Sequence, residues 1–195
     1  SGNMWAATSG GGVVRFVTQG FRHFDRSDGL AGDRIYAVLE DRAGRIWMSV
    51  SQNGLQMIDA AGLHRFTGDS GYLNLKCRTL AEDKFGRIWT GTEGKGSAIF
   101  DSSGMRTLTK ANGLPGDFIQ KIVSAPSGDM WVATGLDGIV QVGFPDSNSF
   151  SFRYIGEKDG LSDKRISTAF ADKHGYLWFA TASGKVGWIK NRIAL

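Results

Sequence analysis

The sequence predicts an all-β protein built from one antiparallel unit that is repeated along the chain. Glycine accounts for 28 of the 195 residues, about twice the usual share, whereas only 3 residues are proline. Six tryptophans are present, and five of them recur with a regular spacing. So much glycine would destabilise a helical bundle. Short strands joined by tight turns fit the composition better.

The repeat is defined by five tryptophans that share one sequence context. They are 42, 42, 42 and 47 residues apart: Trp5, Trp47, Trp89, Trp131 and Trp178. Glycine stands three residues before each, and an apolar residue stands directly before each. A turn tripeptide begins 19 residues before the last four tryptophans: Asp28-Gly29-Leu30, Ser70-Gly71-Tyr72, Asn112-Gly113-Leu114 and Asp159-Gly160-Leu161. Such a register is the signature of a repeat architecture.

Strand and turn signals alternate within one period. Residues 35–40, 45–50, 55–59 and 63–67 are rich in β-prone residue types, and turn segments separate them. Four short antiparallel strands in about 42 residues are typical of one blade of a β-propeller. The sequence therefore predicts an all-β fold of the β-propeller class, as a partial propeller of four to five blades.

We expect residues 1–195 to form a single propeller segment. Residues 1–27 would be a partial blade without its first strand, and 159–195 would be the last repeat. The full repeats would span 28–69, 70–111 and 112–158. The longer final spacing places five additional residues within 144–158, where we expect a lengthened outer hairpin or blade connection. The number of repeats suggests a fragment of a larger protein.

The recurring tryptophans are expected to pack between adjacent sheets. The residue two places after each is always small, which leaves room for a large ring on the same strand face. The predicted structural core of the blades is Trp5, Trp47, Trp89, Trp131 and Trp178. The sixth tryptophan, Trp188, lies outside this register on the third strand of the last repeat, and is a candidate for a surface or interface role.

The segment from Asp28 to Trp47 resembles the two-component regulator propeller repeat, because it combines the turn tripeptide, an apolar strand, a D-x-x-G turn and the tryptophan. Residues 76–89 and 164–178 are weaker copies, and 118–131 lacks the Glu-Asp pair. In that family the repeats build extracytoplasmic sensor regions of bacterial signalling proteins, often hybrid histidine kinases or cyclases, and some members sense oligosaccharides. The resemblance implies a non-enzymatic, periplasmic sensor segment of a membrane-anchored receptor.

One set of polar residues is a candidate ligand site. Alignment on the tryptophans places them 13 and 11 residues upstream, at the start of the first strand, which lines the central channel of propellers. The candidates at this channel mouth are Arg34, Tyr36, Lys76, Arg78, Gln120 and Arg165. Their cations would suit the carboxylate or sulfate groups of an acidic oligosaccharide. They also fit solvated channel residues without a ligand. The residues between them, including Cys77, should be buried.

The sequence gives little support for catalysis, metals or cofactors. The histidines fall at unrelated repeat positions and form no metal-binding motif: His23, His64 and His174. The Glu40-Asp41 and Glu82-Asp83 pairs recur before a turn, where carboxylates cap backbone N–H groups. Residues 9–12 are expected to form a hairpin turn, since no G-K-[ST] sequence follows that would make a phosphate loop. We therefore predict no catalytic residue, no metal and no cofactor.

Partners are constrained by charge and by the repeat count. The net charge of +4 is dispersed along the sequence, which argues against nucleic-acid binding. An open arc of blades would expose two sheet faces, so self-association is one expectation. Two alternatives to a sensor stay open: a generic interaction or lectin-like propeller, and an enzyme similar to streptogramin lyases, whose repeats resemble residues 174–179.

Overall fold

The computed structural model of the protein describes residues 4–17, 20–51, 54–66 and 76–190. The predicted turn Ser70-Gly71-Tyr72 and the first repeat glycine, Gly2, lie outside the described residues. Within these ranges the chain forms β-strands and three short 3-10 helices, over Arg26–Asp28, Lys110–Asn112 and Glu157–Asp159. None of the described helices has the length and apolar character needed to span a membrane. The all-β prediction is confirmed.

The strands form five antiparallel sheets in which consecutive strands are neighbours. The first two sheets contain β1 (Met4–Ala7), β2 (Val13–Val17) and β3 (Gly20–Phe24), and then β4 (Ile35–Glu40), β5 (Ile46–Val50), β6 (Gly54–Asp59) and β7 (Gly62–Phe66). The third contains β8 (Cys77–Glu82), β9 (Ile88–Thr92), β10 (Ser97–Asp101) and β11 (Gly104–Leu108). The last two contain β12 (Ile119–Ser124), β13 (Met130–Thr134), β14 (Ile139–Gly143) and β15 (Ser151–Ile155), and then β16 (Ile166–Ala171), β17 (Tyr176–Thr181) and β18 (Val186–Lys190).

The chain divides into two compact units, Ser1–Leu80 and Ala81–Leu195. The first unit has an apolar core that includes Val13, Leu30 and Met48. The second has two core clusters, one around Trp89 and one around Trp131. The predicted organisation as a single propeller segment, with its repeat boundaries, stays a prediction.

One carboxylate links the turn between the first two strands of a sheet to the tryptophan. Asp41 accepts hydrogen bonds from the backbone N–H groups of Ala43 and Arg45 and, at 2.8 Å, from Trp47 Nε1. The turn closes at Gly44, whose φ of 76° would strain any residue with a side chain. Two further aspartates accept the same three bonds in their own repeats: Asp83 and Asp172. The expected capping role is confirmed.

The fourth sheet departs from this pattern. Ala125 occupies the position of the aspartate, and Trp131 Nε1 is buried without a hydrogen-bond partner among the described residues. The nearby Asp129 instead accepts a hydrogen bond from Gln141 Nε2 at 2.7 Å. A buried donor without a partner costs about 1–3 kcal/mol. This sheet therefore lacks a stabilising interaction that the second, third and fifth sheets possess.

The five repeat tryptophans differ in how deeply their side chains are buried. Trp47, Trp89 and Trp131 are buried, and Trp5 is half-buried. Trp178, in contrast, is 41% exposed, so the expectation of a core role is wrong at this position. Leu177 and Phe179 of the last sheet cover Trp131, whereas no sheet among the described residues covers Trp178 in the same way.

The five additional residues of the fourth repeat lengthen its outer hairpin. Residues 144–150 connect the third and fourth strands, where the second and third sheets need only residues 60–61 and 102–103. The rings of Phe144 and Phe150 lie 6.1 and 5.7 Å from the ring of Trp89, between centroids. Arg87 Nη1 donates a hydrogen bond to the backbone oxygen of Ser147 at 2.6 Å. The long hairpin thus packs against the outer part of the preceding sheet.

We expect Ala125→Asn to stabilise the protein by about 1 kcal/mol, because the new side-chain oxygen would accept the hydrogen bond that Trp131 Nε1 lacks. Asparagine is preferred to aspartate because it adds no second negative charge beside Asp129. The free energy of unfolding in urea measures the effect.

The control for this prediction is a double-mutant cycle with Trp131→Phe, which removes the indole N–H. In that background Ala125→Asn should give no gain. An equal gain in both backgrounds would show that the hydrogen bond to the indole is not its cause.

Candidate functional site

The backbone that leads into the first strand is held by the hairpin of the preceding sheet. Gly10 and Gly12 donate backbone hydrogen bonds of 3.0 and 2.8 Å to the oxygen of Asp33, directly before Arg34. A Cβ atom on Gly12 would collide with the carbonyl oxygen of Phe24. Residues 9–12 are therefore a close-packed hairpin turn, as expected. Two glycines of the second unit hold the corresponding carbonyl oxygen of Asp117: Gly94 and Gly96.

A β-bulge redirects the side chains at the start of the first strand. The strand register shifts at the residue 11 places before the tryptophan in three repeats: Tyr36, Gln120 and Ser167. A bulge leaves one residue unpaired and changes the direction of its side chain. The preceding residues are all buried, as expected: Ile35, Cys77, Ile119 and Ile166. This bulge was not predicted from the sequence.

The first unit brings three of the predicted residues together. Lys76 Nζ lies 4.8 Å from the centroid of the Tyr36 ring, and the hydroxyl of Tyr36 lies 3.4 Å from Ser51 Oγ. The hydrogen bond with Ser51, the hydrogen bond with Arg34 and the nearby positive charges lower the pKa of Tyr36. Arg34, Tyr36 and Lys76 thus form a cationic cluster around a phenol, which we call the Tyr36 cluster. Arg78 is half-buried on β8.

The predicted residues of the second unit are engaged differently. Gln120 Nε2 donates a hydrogen bond of 3.1 Å to the backbone oxygen of Ser167. Arg165 forms two bonds of 3.0 Å to the carboxylate of Asp163. This pairing lowers the pKa of Asp163 and raises that of Arg165. The positive charge of Arg165 is therefore compensated locally.

The histidines do not share a site. His23 is exposed on β3, and His174 lies in the turn before β17. His64 Nε2 donates a hydrogen bond of 2.9 Å to the carboxylate of Asp59. Cys77 is buried and unpaired with another cysteine. Over residues 4–17, 20–51, 54–66 and 76–190, no three metal-ligating side chains lie close enough to hold a metal ion.

The fold is that of the β-propeller class, as comparison with solved structures shows. The extracellular domain of a hybrid two-component system of B. thetaiotaomicron is 25% identical, with a TM-score of 0.76 over 97% of this chain and 27% of that chain. The extracellular domain of a one-component system of B. thetaiotaomicron is 18% identical, with a TM-score of 0.74 over 98% and 30%. Virginiamycin B lyase from Staphylococcus aureus is 14% identical, with a TM-score of 0.72 over 99% and 68%. The last two likenesses concern the fold alone.

The repeats identify the chain more closely. The family model of the two-component regulator propeller matches residues 29–52 and 160–183, which confirms the resemblance at these two repeats. These two segments are therefore two-component regulator propeller repeats. The chain spans about a quarter of the length of the hybrid-system domain that it resembles. Curated proteins gave no match.

Titration of Tyr36 tests the Tyr36 cluster. We expect its pKa in the folded protein to lie below the ordinary value of about 10, and Lys76→Met to raise it, because a positive charge favours the phenolate. Since the folded-state pKa is lowered, this group stabilises the fold only as the pH rises through that pKa, and contributes nothing at neutral pH. Absorbance at alkaline pH measures the titration, and Tyr36→Phe assigns it.

The matched control is Lys173→Met, which removes an exposed cation of the second unit. It should leave the titration of Tyr36 unchanged. A pKa of Tyr36 at or above its ordinary value, or one that both lysine variants shift equally, would contradict the proposed proximity of Lys76.

Proposed function

We propose that this chain is a non-enzymatic, ligand-binding segment of a bacterial two-component signalling receptor, on the periplasmic side of a membrane that anchors the parent protein. The observation that carries the proposal is the Tyr36 cluster at the start of a first strand. The repeat match and the likeness to extracellular sensor domains support the setting.

The chemistry of the Tyr36 cluster favours an acidic oligosaccharide as ligand. A guanidinium group and an ammonium group can bind carboxylate or sulfate groups through charge-assisted hydrogen bonds. The Tyr36 ring adds an apolar face and a hydroxyl for the body of a sugar. Arg34 is exposed, and Tyr36 and Lys76 are half-buried, so a ligand can reach all three. The ligand-binding role of three further residues stays a prediction: Arg78, Gln120 and Arg165. Arg165 is the least favoured of them as a ligand-binding residue, because Asp163 compensates its charge.

Dispersed histidines support a non-enzymatic role. Two of them take part in local hydrogen bonds. His64 bonds with Asp59, and the backbone N–H of His174 donates to Asp172. Neither lies in the Tyr36 cluster. The likeness to virginiamycin B lyase concerns the fold at 14% identity and carries no activity to this chain.

We expect acidic oligosaccharides, such as oligogalacturonates, to raise the unfolding temperature, and neutral oligosaccharides of the same length to have less effect. The double variant Arg34→Ala with Lys76→Met should weaken binding by roughly a hundredfold, since each charged hydrogen bond contributes about 1.5 kcal/mol or more. Thermal shift and calorimetric titration measure the two effects.

The matched control is Lys110→Met with Lys173→Met, which removes the same charge from two exposed positions of the second unit. Binding should persist in this control. The proposed site is wrong if the Arg34 and Lys76 variant binds the acidic oligosaccharide as tightly as the wild type, and the ligand class is wrong if no acidic oligosaccharide binds.

The last sheet supports self-association as a second partner proposal. Phe170, Trp178 and Trp188 are cross-strand neighbours and are 63%, 41% and 57% exposed. Large rings that form one exposed row mark an interaction surface. The corresponding face of the fourth sheet is covered by a sheet of the same kind. We propose that a second copy of the chain covers this row.

Light scattering over a range of protein concentrations should detect the association. Phe170→Glu with Trp188→Glu should yield monomers at concentrations where the wild type associates. Leu136→Glu is the matched control, because Leu136 is 63% exposed in the turn between β13 and β14, away from the row. A monomeric wild type at all concentrations, or equal effects of both variants, would refute the proposal.

A further inference from the structure

A cavity of about 630 Å³ lies within the first unit, and both of its sheets line it. Trp5, Arg15 and Arg22 come from the first sheet, and the turns that contain Arg45 and Ala61 come from the second. The volume is within the range of small-molecule sites. None of the residues that line this cavity belongs to the Tyr36 cluster.

An arginine occupies a position in this cavity that is apolar in the next two sheets. Strand pairing aligns Trp5, Arg15 and Arg22 in one cross-strand row. The corresponding cross-strand row of the second sheet consists of Trp47, Met57 and His64. In the third sheet it consists of Trp89, Ile99 and Arg106. Arg15 thus replaces a side chain that otherwise packs beside the tryptophan.

The guanidinium groups of Arg15 and Arg22 contact aromatic rings and pair with no described carboxylate. Nε of Arg15 is buried and makes no hydrogen bond among the described residues. Arg15 lies over the Trp5 ring at 5.6 Å, and Arg22 lies over the Phe24 ring at 4.7 Å. Neither arginine pairs with a carboxylate in the part of the chain that the structure describes. Aromatic faces therefore hold both groups in place and leave their N–H donors for another acceptor.

The carboxylates that line the cavity are mostly engaged elsewhere. Asp59 accepts hydrogen bonds from two backbone N–H groups of its own turn and bonds with His64 at 2.9 Å. Asp28 accepts a hydrogen bond from the backbone N–H of Asp25. Glu40 is exposed. The cation of Arg45 is compensated by Asp41 at 2.6 Å, whereas no described carboxylate pairs with Arg15 or Arg22.

The second unit fills the corresponding space with its own side chains. There the long hairpin 144–150 places Phe144 and Phe150 against Trp89. In the first unit the equivalent connection is the short turn 60–61, which supplies only two alanines. A cavity beside the tryptophan is therefore not an inevitable product of the repeat. It results from the combination of a short turn with the arginine row.

We propose that this cavity binds a small organic carboxylate. The carboxylate group would accept hydrogen bonds from Arg15 and Arg22, whose planar donors match its geometry. The body of the ligand would contact the apolar wall formed by Leu30, Ile58 and Leu63. The site and its ligand are independent of the oligosaccharide proposed for the Tyr36 cluster.

Saturation-transfer NMR with benzoate as the probe tests the proposal, and benzamide is its uncharged counterpart of the same shape. Wild-type protein should bind benzoate at least tenfold more tightly than benzamide. Arg15→Met should abolish this preference. Methionine is chosen because Met57 occupies the same row beside Trp47, so the packing should be tolerated. Arg22→Gln is a second variant at an exposed position and keeps the test informative if Arg15→Met unfolds.

Two control variants locate the effect. Lys173→Met removes one exposed cation of the second unit, and Arg34→Ala with Lys76→Met disrupts the Tyr36 cluster. Both should bind benzoate as the wild type does, and a normal unfolding transition confirms the fold of every variant. The proposal is overturned if benzoate does not bind, if benzamide binds equally well, or if folded Arg15→Met and Arg22→Gln proteins bind benzoate unchanged.

Discussion

In three of the five sheets, a hydrogen bond from the tryptophan indole to the aspartate six residues earlier is the constraint on which the first turn and the position of the ring depend. The same carboxylate accepts two backbone N–H groups of the turn between the first two strands, so one side chain determines both the turn and the orientation of the ring. In the second repeat, burial opposes the ionisation of Asp41, yet the bonds from Trp47 and Arg45 outweigh it and lower the pKa of Asp41. The charge is thus retained in a buried position because four N–H donors converge on it.

The hydrogen bond to the aspartate determines the orientation of the indole ring but not how deeply the ring is buried. Asp172 accepts the same indole hydrogen bond as Asp83, yet Trp89 is buried and Trp178 is 41% exposed. Trp89 is covered by residues of the following sheet, such as Val132 and Val140. A repeat can therefore specify its own sheet completely and still depend on its neighbour for the burial of its largest side chain.

The sequence predicted the features that recur and are local. The spacing of the tryptophans predicted the strands, and the recurring aspartate predicted the capped turn. The bulge at Tyr36 was missed, although it has a signal: the buried apolar residues of the first strand are three apart, as in Ile119 and Ile122, where a regular strand would place them two apart. Contacts of the hairpin 144–150 with Trp89 could not be predicted, because they depend on how two sheets pack. Arg15 stands ten residues after Trp5, and the residue ten places after the next two repeat tryptophans is apolar, Met57 and Ile99. The charge of Arg15 at this position is thus visible in the sequence.

Side chains that the repeat does not use for capping or packing are where specific recognition is to be sought. The aspartates and most of the tryptophans of the repeat are already committed to those two roles. The Tyr36 cluster lies at the start of β4, and the cavity beside the arginine row is lined by Glu40 at the end of the same strand. In both, a cationic side chain lies over an aromatic ring, Arg15 over Trp5 and Lys76 over Tyr36. A fold that needs neither charge for its own stability can retain such residues for a ligand.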